Sequence, residues 1–241
     1  MADYLARLAQ DARTRIEAGY YETGPTIRHS RPSLSKTIQE CSLNPIIAEV
    51  KFSSPSQGMI RKTEPALKIA ESMVKGGACA LSVLTEPDNF NGGLDTLSEI
   101  AEKTDVPILM KDIIVSPTQL EAGLRAGANA VVIISEVFKR GLGLVEIEEI
   151  LQESHRLGLE VLVEAHGVRD FLSLKKFHPD LYGINNRNLS TFQLDLSTTE
   201  EILARAGRLD SPVVSESGIS SANDVKLLRK AGAQASSSAP P

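Results

Sequence analysis

Hydrophobic and polar positions divide the chain into short apolar runs that alternate with longer segments of helical periodicity. Seven runs have the length and composition of buried strands: IIAEVK (46–51), CALSVLT (79–85), VPILMKD (106–112), AVVII (130–134), EVLVEA (160–165), LYGIN (181–185) and PVVSES (212–217). Helical patterns lie between them at about 64–75, 93–103, 117–126, 143–157, 168–177, 197–207 and 221–231. Strands that alternate with helices predict repeated βα units and a parallel sheet.

The number of these units predicts the architecture. Seven units without a linker rich in Pro, Gly or Ser favour a TIM-type α/β fold, the (β/α) barrel, over a doubly wound sheet. We assign residues 46–235 to the barrel and residues 1–45 to an N-terminal helical extension.

The end of the chain departs from the pattern. LRKAGAQA at 228–235 resembles the helix-to-strand connections around 76–85 and 126–134, and it should lead into an eighth apolar strand. SSSAPP at 236–241 follows instead, with two prolines and no large apolar residue. We therefore predict that the eighth βα unit is missing or replaced, that 236–241 is a tail outside the barrel, and that the barrel is open.

The first strand carries two charges near its end. Side chains alternate across a strand, so Glu49 and Lys51 share one face while Ala48 and Val50 share the other. Taken alone, such a pair is more often an ion pair that fills the interior of a barrel.

The same placement of polar residues recurs on other strands, which favours a functional site over an ion pair that only fills the barrel. Four further runs carry a polar residue near their C-terminal end, on the same face as the residue two positions earlier. These residues are Lys111, Glu164, Asn185 and Glu216, and Ser217 lies just beyond the last of them. The C-terminal ends of barrel strands form the active-site mouth of this architecture. Solvated loop acids are the commoner fate of isolated glutamates, but acids and lysines gathered in a partly dry cavity shift each other's pKa values and suit proton transfer.

Composition narrows the function classes. The 241 residues are 41% hydrophobic and 24% charged, which suits a globular domain with a substantial core. A net charge of −5, 4% aromatic residues and the lack of Trp argue against a nucleic-acid partner. No apolar run approaches the length of a membrane span, and the first residues lack the apolar stretch of a signal peptide.

Cysteine and histidine usage points to a cytoplasmic protein without a metal site. Cys41 and Cys79 lack metal-ligand spacing and are expected to be free thiols in a reducing compartment. The four histidines show no ligand or triad spacing, and GLG at 141–143 lacks the context of a dinucleotide site. We expect neither a metal nor a cofactor.

Six segments, in their order along the chain, match one enzyme family: IIAEVKFSSPSQG, LSVLTEPDNFNGGLDTL, VPILMKDIIVSPTQLEAGLRAGANAVVII, VLVEAHG, GINNRNLSTFQLDL and VVSESGISSANDV. From about residue 4 to about 235 the chain resembles indole-3-glycerol phosphate synthase of tryptophan biosynthesis. The resemblance implies a (β/α)₈ barrel with an N-terminal extension, and a monomeric, metal-free carboxy-lyase. Its small-molecule substrate would be a phosphorylated anthranilate–ribulose conjugate, closed to indole-3-glycerol phosphate with loss of CO₂ and water.

The resemblance also implies roles for the polar ring. Lys111 would be the general acid and Glu164 its acid/base partner in dehydration, while Glu49 and Asn185 orient Lys111 and the substrate hydroxyls. Lys51 would contact the substrate carboxylate or phosphate and share the acid role, and the step at which each lysine acts stays open. Glu216 would close the ring.

Further residues would bind the substrate. Phe90, Ile113 and Ile133 would form an apolar slot for the anthranilate ring, with plain core packing as the alternative. Ser54, Ser217 and Gly218 would donate hydrogen bonds to the phosphate, because N–H groups in loops and at helix starts favour anions. Arg187 would be structural or substrate-orienting.

The departure at the end of the chain bears on activity. The family completes its phosphate site with a glycine–serine turn after the eighth strand, so SSSAPP implies that only half of the phosphate site is present. An open barrel would also leave unpaired strand edges, which implies lower stability and a tendency to associate. The alternative function is an impaired or non-catalytic barrel that binds a phosphorylated ligand. A different barrel, such as a sugar-phosphate isomerase, is disfavoured by the paired lysines at 51 and 111.

Overall fold

The computed structural model describes residues 3–22, 24, 26–27, 32–54, 58–59, 64–189 and 191–238, with the backbone alone at 53, 54, 58 and 59. The barrel strands are β1 Ile46–Val50, β2 Ala80–Leu84, β3 Ile108–Lys111, β4 Ala130–Ile134, β5 Glu160–Ala165, β6 Leu181–Asn185, β7 Val213–Glu216 and β8 Ala235–Ser238. Each pairs in parallel with its neighbours in sequence, and β8 pairs with β1 to close the barrel. The predicted TIM-type α/β fold is confirmed.

Helices follow the strands as the periodicity predicts. They are α1 Tyr4–Glu17, α2 Leu34–Glu40, α3 Ala66–Lys75, α4 Pro87–Phe90, α5 Leu94–Lys103, α6 Pro117–Ala126, α7 Ser135–Lys139, α8 Ile147–Arg156, α9 Val168–Leu174, α10 Ser197–Ala206 and α11 Ala222–Ala231, with a 3₁₀ turn at Lys175–Phe177. The short helices α4 and α7, which follow β2 and β4, were not predicted. In the part of the chain that the structure describes, no helix has the length and apolar character needed to cross a membrane.

The prediction of a missing eighth strand and an open barrel is wrong. Residues 235–238 form β8, in which Ser237 is in register with Glu216 of β7, and Ser236 with Ile46 of β1. A strand's ladder bonds come from its backbone, so small side chains suffice where both neighbours are present. Residues 236–238 are therefore barrel residues rather than tail, and the two prolines at 240 and 241 lie outside the described part.

Alternation along the strands builds the interior in layers. Ile47, Leu109, Leu162 and Val214 belong to one buried cluster inside the barrel. Two residues further along each strand, the same face carries Glu49, Lys111, Glu164 and Glu216. The barrel is thus apolar in its middle and charged at its C-terminal mouth.

The two extension helices lie at opposite ends of the barrel. Leu34 and Ile38 of α2 pack in the cluster that contains Ile47, which covers the bottom. Leu5 and Leu8 of α1 border the cavity at the mouth. The extension therefore closes one end and forms part of the wall at the other.

Candidate active site

Lys111 lies at the centre of a charged cluster at the mouth. Its Nζ is 3.2 Å from Oε2 of Glu49 and 3.1 Å from Oε2 of Glu216. Glu49 also contacts the Nζ of Lys51 through Oε1, at 2.7 Å. Glu49 thus bridges two ammonium groups that strand alternation had placed on its own face.

Burial and neighbouring charges set the protonation states of this cluster. Burial alone would raise the pKa of Glu49, but Lys111 and Lys51 lower it to about 2. Burial alone would lower the pKa of Lys111, but Glu216, Glu49 and Glu164 hold it well above its usual range. An ionised carboxylate and a cationic ammonium therefore face each other at neutral pH.

Glu216 behaves differently from Glu49. Burial raises its pKa to about 7, and the nearby Glu164 adds to that rise while Lys111 opposes it. Its Oε1 has no hydrogen-bond partner among the described residues. A Cβ at Gly183 would lie 2.6 Å from this oxygen, so the glycine leaves the room that Glu216 occupies.

Glu164 is held from the neighbouring strand. The side-chain amide of Asn185 donates to Oε1 of Glu164 at 2.9 Å, and its carbonyl oxygen accepts from the backbone N–H of Arg187 at 2.9 Å. Nδ1 of His166 lies 2.7 Å from the backbone oxygen of Asn185. Glu164 therefore faces the cavity in a fixed orientation, as an acid/base group requires.

An open cavity of about 930 Å³, its mouth included, lies above the cluster. It is lined by most of the residues that the sequence singled out: Glu49, Lys51, Phe90, Lys111, Ile113, Glu164, Asn185, Arg187 and Ser217. One wall is apolar and the base is charged. Such a cavity suits a ligand with an aromatic part and ionised groups.

Four predicted residues stand apart from this lining. Ile133 lies on the opposite face of β4, in the core outside the barrel, and Ile134 takes its place at the cavity. Glu216 lies beneath Lys111, and the position of a Cβ on Gly218 falls against Leu194. The side chain of Ser54 lies outside the described part of the chain.

Sequence reasoning named none of the residues that cover the cavity. Tyr4, Leu5 and Leu8 of α1 line it from above, together with Leu189 and Phe192 from the loop between β6 and α10. The rings of Tyr4 and Phe192 meet edge to face with centroids 5.2 Å apart. The apolar positions of α1 indicate a packed helix, but they do not indicate which end of the barrel it covers.

Among the described residues, no group of three or more His, Cys, Asp or Glu side chains is placed to hold a metal ion. The titratable groups that do converge are the three glutamates and two lysines of the strand ends. The arrangement can donate and accept protons within one cavity.

Comparisons with known proteins identify relatives that match most of the chain. The family model of indole-3-glycerol phosphate synthase matches residues 6–236. An indole-3-glycerol phosphate synthase from Petrotoga mobilis is 36% identical over 84% of this chain and 80% of its own length. One from Geobacillus thermodenitrificans is 41% identical over 79% of this chain and 72% of its own.

A solved structure of an N-acetylmannosamine-6-phosphate 2-epimerase from Clostridium perfringens has a TM-score of 0.68, with 14% identity over 89% of this chain and 92% of that chain. At this identity the likeness shows the barrel fold alone. The match along nearly the whole chain and the identity to the two synthases go further: the chain belongs to the indole-3-glycerol phosphate synthase family.

Proposed function

We propose that this chain converts 1-(2-carboxyphenylamino)-1-deoxyribulose 5-phosphate to indole-3-glycerol phosphate, CO₂ and water. The observation that carries the proposal is the Lys111 ammonium, held between the carboxylates of Glu49 and Glu216 at the base of the cavity. Glu164 adds a second acid/base group in the same cavity.

Ring closure needs a proton donor at the substrate ketone. The ring carbon that bears the carboxylate attacks the ketone carbon, and the electrons of the C=O bond move to its oxygen, which takes a proton from Lys111. Loss of CO₂ then returns the electrons of the broken C–C bond to the aromatic ring. Glu49 and Glu216 support this step, because they fix the position of the ammonium.

Dehydration completes the indole. The new hydroxyl takes a proton and leaves as water, while the neighbouring CH₂ group loses a proton to a base. Glu164 is the acid/base partner in this step, and Asn185 holds its carboxylate. Lys51 contacts the substrate carboxylate or phosphate.

Binding would use the two sides of the cavity. Phe90, Ile113 and Ile134 form the apolar surface against which the anthranilate ring packs. Ser217, in a left-handed backbone conformation with φ 68° at the end of β7, donates to the phosphate together with the N–H of Gly218. Arg187 borders the cavity and orients the substrate.

Steady-state assay of the purified chain, followed by indole fluorescence, tests the proposal. We expect turnover in the wild type and a fall of roughly 10² to 10⁴ in Lys111→Met, the range for a lost general acid. Lys139→Met is the matched control, because it removes a half-exposed lysine that pairs with Glu136 and Asp170 on α7 and α9. A folded wild type that binds the substrate without forming indole would support the non-catalytic alternative instead.

A further inference from the structure

We infer that Arg15, on α1 of the N-terminal extension, is a positioning residue that holds two parts of the active-site cavity, the wall at Phe90 and the segment at Lys111, through buried hydrogen bonds. The inference deepens the proposed function and rests on it for its kinetic part. Arg15 does not border the cavity itself, and its side chain is 9% exposed. It would therefore act through the groups that it contacts.

The first branch leads to the wall that contains Phe90. Nη1 of Arg15 lies 2.8 Å from Oε1 of Glu86, a side chain that is 1% exposed. Oε2 of the same glutamate accepts hydrogen bonds from two backbone N–H groups, that of Asn89 at 2.7 Å and that of Phe90 at 3.1 Å. Arg15 thus supplies the counter-charge for the buried carboxylate that fixes the position of Phe90.

The second branch leads to the segment that contains Lys111. Nε of Arg15 lies 3.5 Å from the hydroxyl of Tyr21, which donates to Oδ2 of Asp112 at 3.1 Å. Oδ1 of Asp112 accepts the backbone N–H of Ile113 at 2.7 Å. Asp112 lies between Lys111 and Ile113 in sequence, so its side chain sets where both neighbours stand.

Two further hydrogen bonds fix this branch. The hydroxyl of Thr85 donates to Oδ2 of Asp112 at 2.8 Å, and the amide of Gln119 donates to the hydroxyl of Tyr21 at 3.3 Å. Asp112 and Tyr21 are 2% and 0% exposed. A buried network of this kind is rigid when its members are satisfied, and it loses that property when one member is removed.

A second arginine of α1 separates positioning from anchoring. Nη2 of Arg13 donates to the backbone oxygens of Leu142 at 2.8 Å and Gly143 at 3.3 Å. Neither of these residues borders the cavity. Arg13 therefore ties the same helix to the barrel without contact to the network, which makes it the matched control.

The test compares Arg15→Met with Arg13→Met. We expect Arg15→Met to raise KM and lower kcat, with kcat/KM lower by about 10²-fold, the loss typical of a displaced catalytic group. Arg13→Met should lower the melting temperature and leave both constants as in the wild type. Equal kinetic constants in the two folded variants would overturn the inference.

Partial variants assign the two branches. Tyr21→Phe removes the hydroxyl that joins Arg15 and Gln119 to Asp112 and leaves the contact between Arg15 and Glu86, so we expect kcat to fall roughly tenfold with KM nearly unchanged. Arg15→Lys keeps a charge beside Glu86 but loses the fork that also reaches Tyr21, so it should restore KM more than kcat. Tyr21→Phe also serves if Arg15→Met does not fold, and wild-type values of kcat in it would contradict the second branch.

Hydrogen exchange gives a readout that does not depend on turnover. We expect the amides of Asn89, Phe90 and Ile113 to exchange about tenfold faster or more in Arg15→Met, because their acceptors lose support, and unchanged in Arg13→Met. A wild type without turnover would defeat the proposed function and leave this measurement standing. Unchanged exchange in Arg15→Met would defeat the positioning role alone.

Discussion

Glu164 combines a fixed orientation with access to the cavity. Asn185 donates to its Oε1, and a glutamine at the same position keeps the shape of the side chain while losing the proton acceptor. We therefore expect Glu164→Gln to bind substrate with nearly wild-type affinity and to slow the chemical steps by roughly 10² or more. Single-turnover traces separate the two effects, and weakened binding with a normal chemical rate would exclude the acid/base role.

Glu216 gives the cavity an ionisation near neutral pH. Burial raises its pKa to about 7, and its ionised form holds the Lys111 ammonium. We expect kcat/KM to rise with pH through about 7. In Glu216→Gln this ionisation should be absent, whereas the substrate phosphate titrates equally in both proteins.

A control glutamate makes the pH comparison specific. Glu102 is exposed on α5, so Glu102→Gln should keep the wild-type pH profile. Both variants are assayed for kcat/KM across pH 5 to 9, roughly two units either side of neutrality. If the two pH profiles were the same, Glu216 would not be the group that titrates.

At the scale of an element, the serines of strand β8 differ in whether their hydroxyl groups form hydrogen bonds. The Oγ of Ser236 is buried without a hydrogen-bond partner among the described residues, whereas the Oγ of Ser238 donates to the backbone oxygen of Ile219 at 2.7 Å. Removal of an unsatisfied buried hydroxyl relieves a desolvation cost, and removal of a bonded one loses a hydrogen bond.

The two serines form a matched pair for mutation. We expect Ser236→Ala to raise the free energy of unfolding by about 1 kcal/mol and Ser238→Ala to lower it by about 1 kcal/mol. Denaturant unfolding of both variants measures the difference. Equal losses in the two would mean that the Ser236 hydroxyl has a partner in solution.

The strand ends and β8 show what the sequence can and cannot predict. Period-two alternation is local, so it placed Glu49 and Lys111 on the inner face correctly. The same alternation places Ile134, not Ile133, at the cavity, since Ala130 and Val132 face inward. A pattern of apolar side chains does not predict the serine strand, because backbone pairing with two neighbouring strands holds it in place.

A local sequence pattern does not predict contacts between segments that are distant in the chain. Arg15 and Glu86 are 71 residues apart, and neither lies in a motif that predicts the other. Their pairing depends on where α1 crosses the barrel mouth, which periodicity does not determine. The tertiary network around the cavity therefore required the structure.

At the scale of the molecule, barrel closure removes the reason to expect association. Both strands that an open barrel would leave as edges, β1 and β7, pair with β8. We propose a monomer, as the family resemblance implies, and light scattering should give the mass of one chain, 26.0 kDa. A stable dimer would contradict this proposal.

Glu216 also makes the stability of the whole molecule depend on pH. Its pKa is about 7 in the folded chain against 4.5 as the ordinary value, so its contribution is fully present below 4.5 and is lost as pH rises through 7. As the pH rises from 4.5 through about 7, we expect the free energy of unfolding of the wild type to fall relative to that of Glu216→Gln. Denaturant unfolding at several pH values measures the gap, and a gap that stays constant would refute the raised pKa.

We expect one cavity to close the ring, release CO₂ and remove water. A single-turnover reaction with substrate labelled in its carboxyl carbon tests this most directly, because the label counts the CO₂ released and indole fluorescence counts the indole-3-glycerol phosphate formed. The wild type should release labelled CO₂ and form indole-3-glycerol phosphate in equal amounts. A folded chain that binds the labelled substrate and releases neither product would contradict the claim.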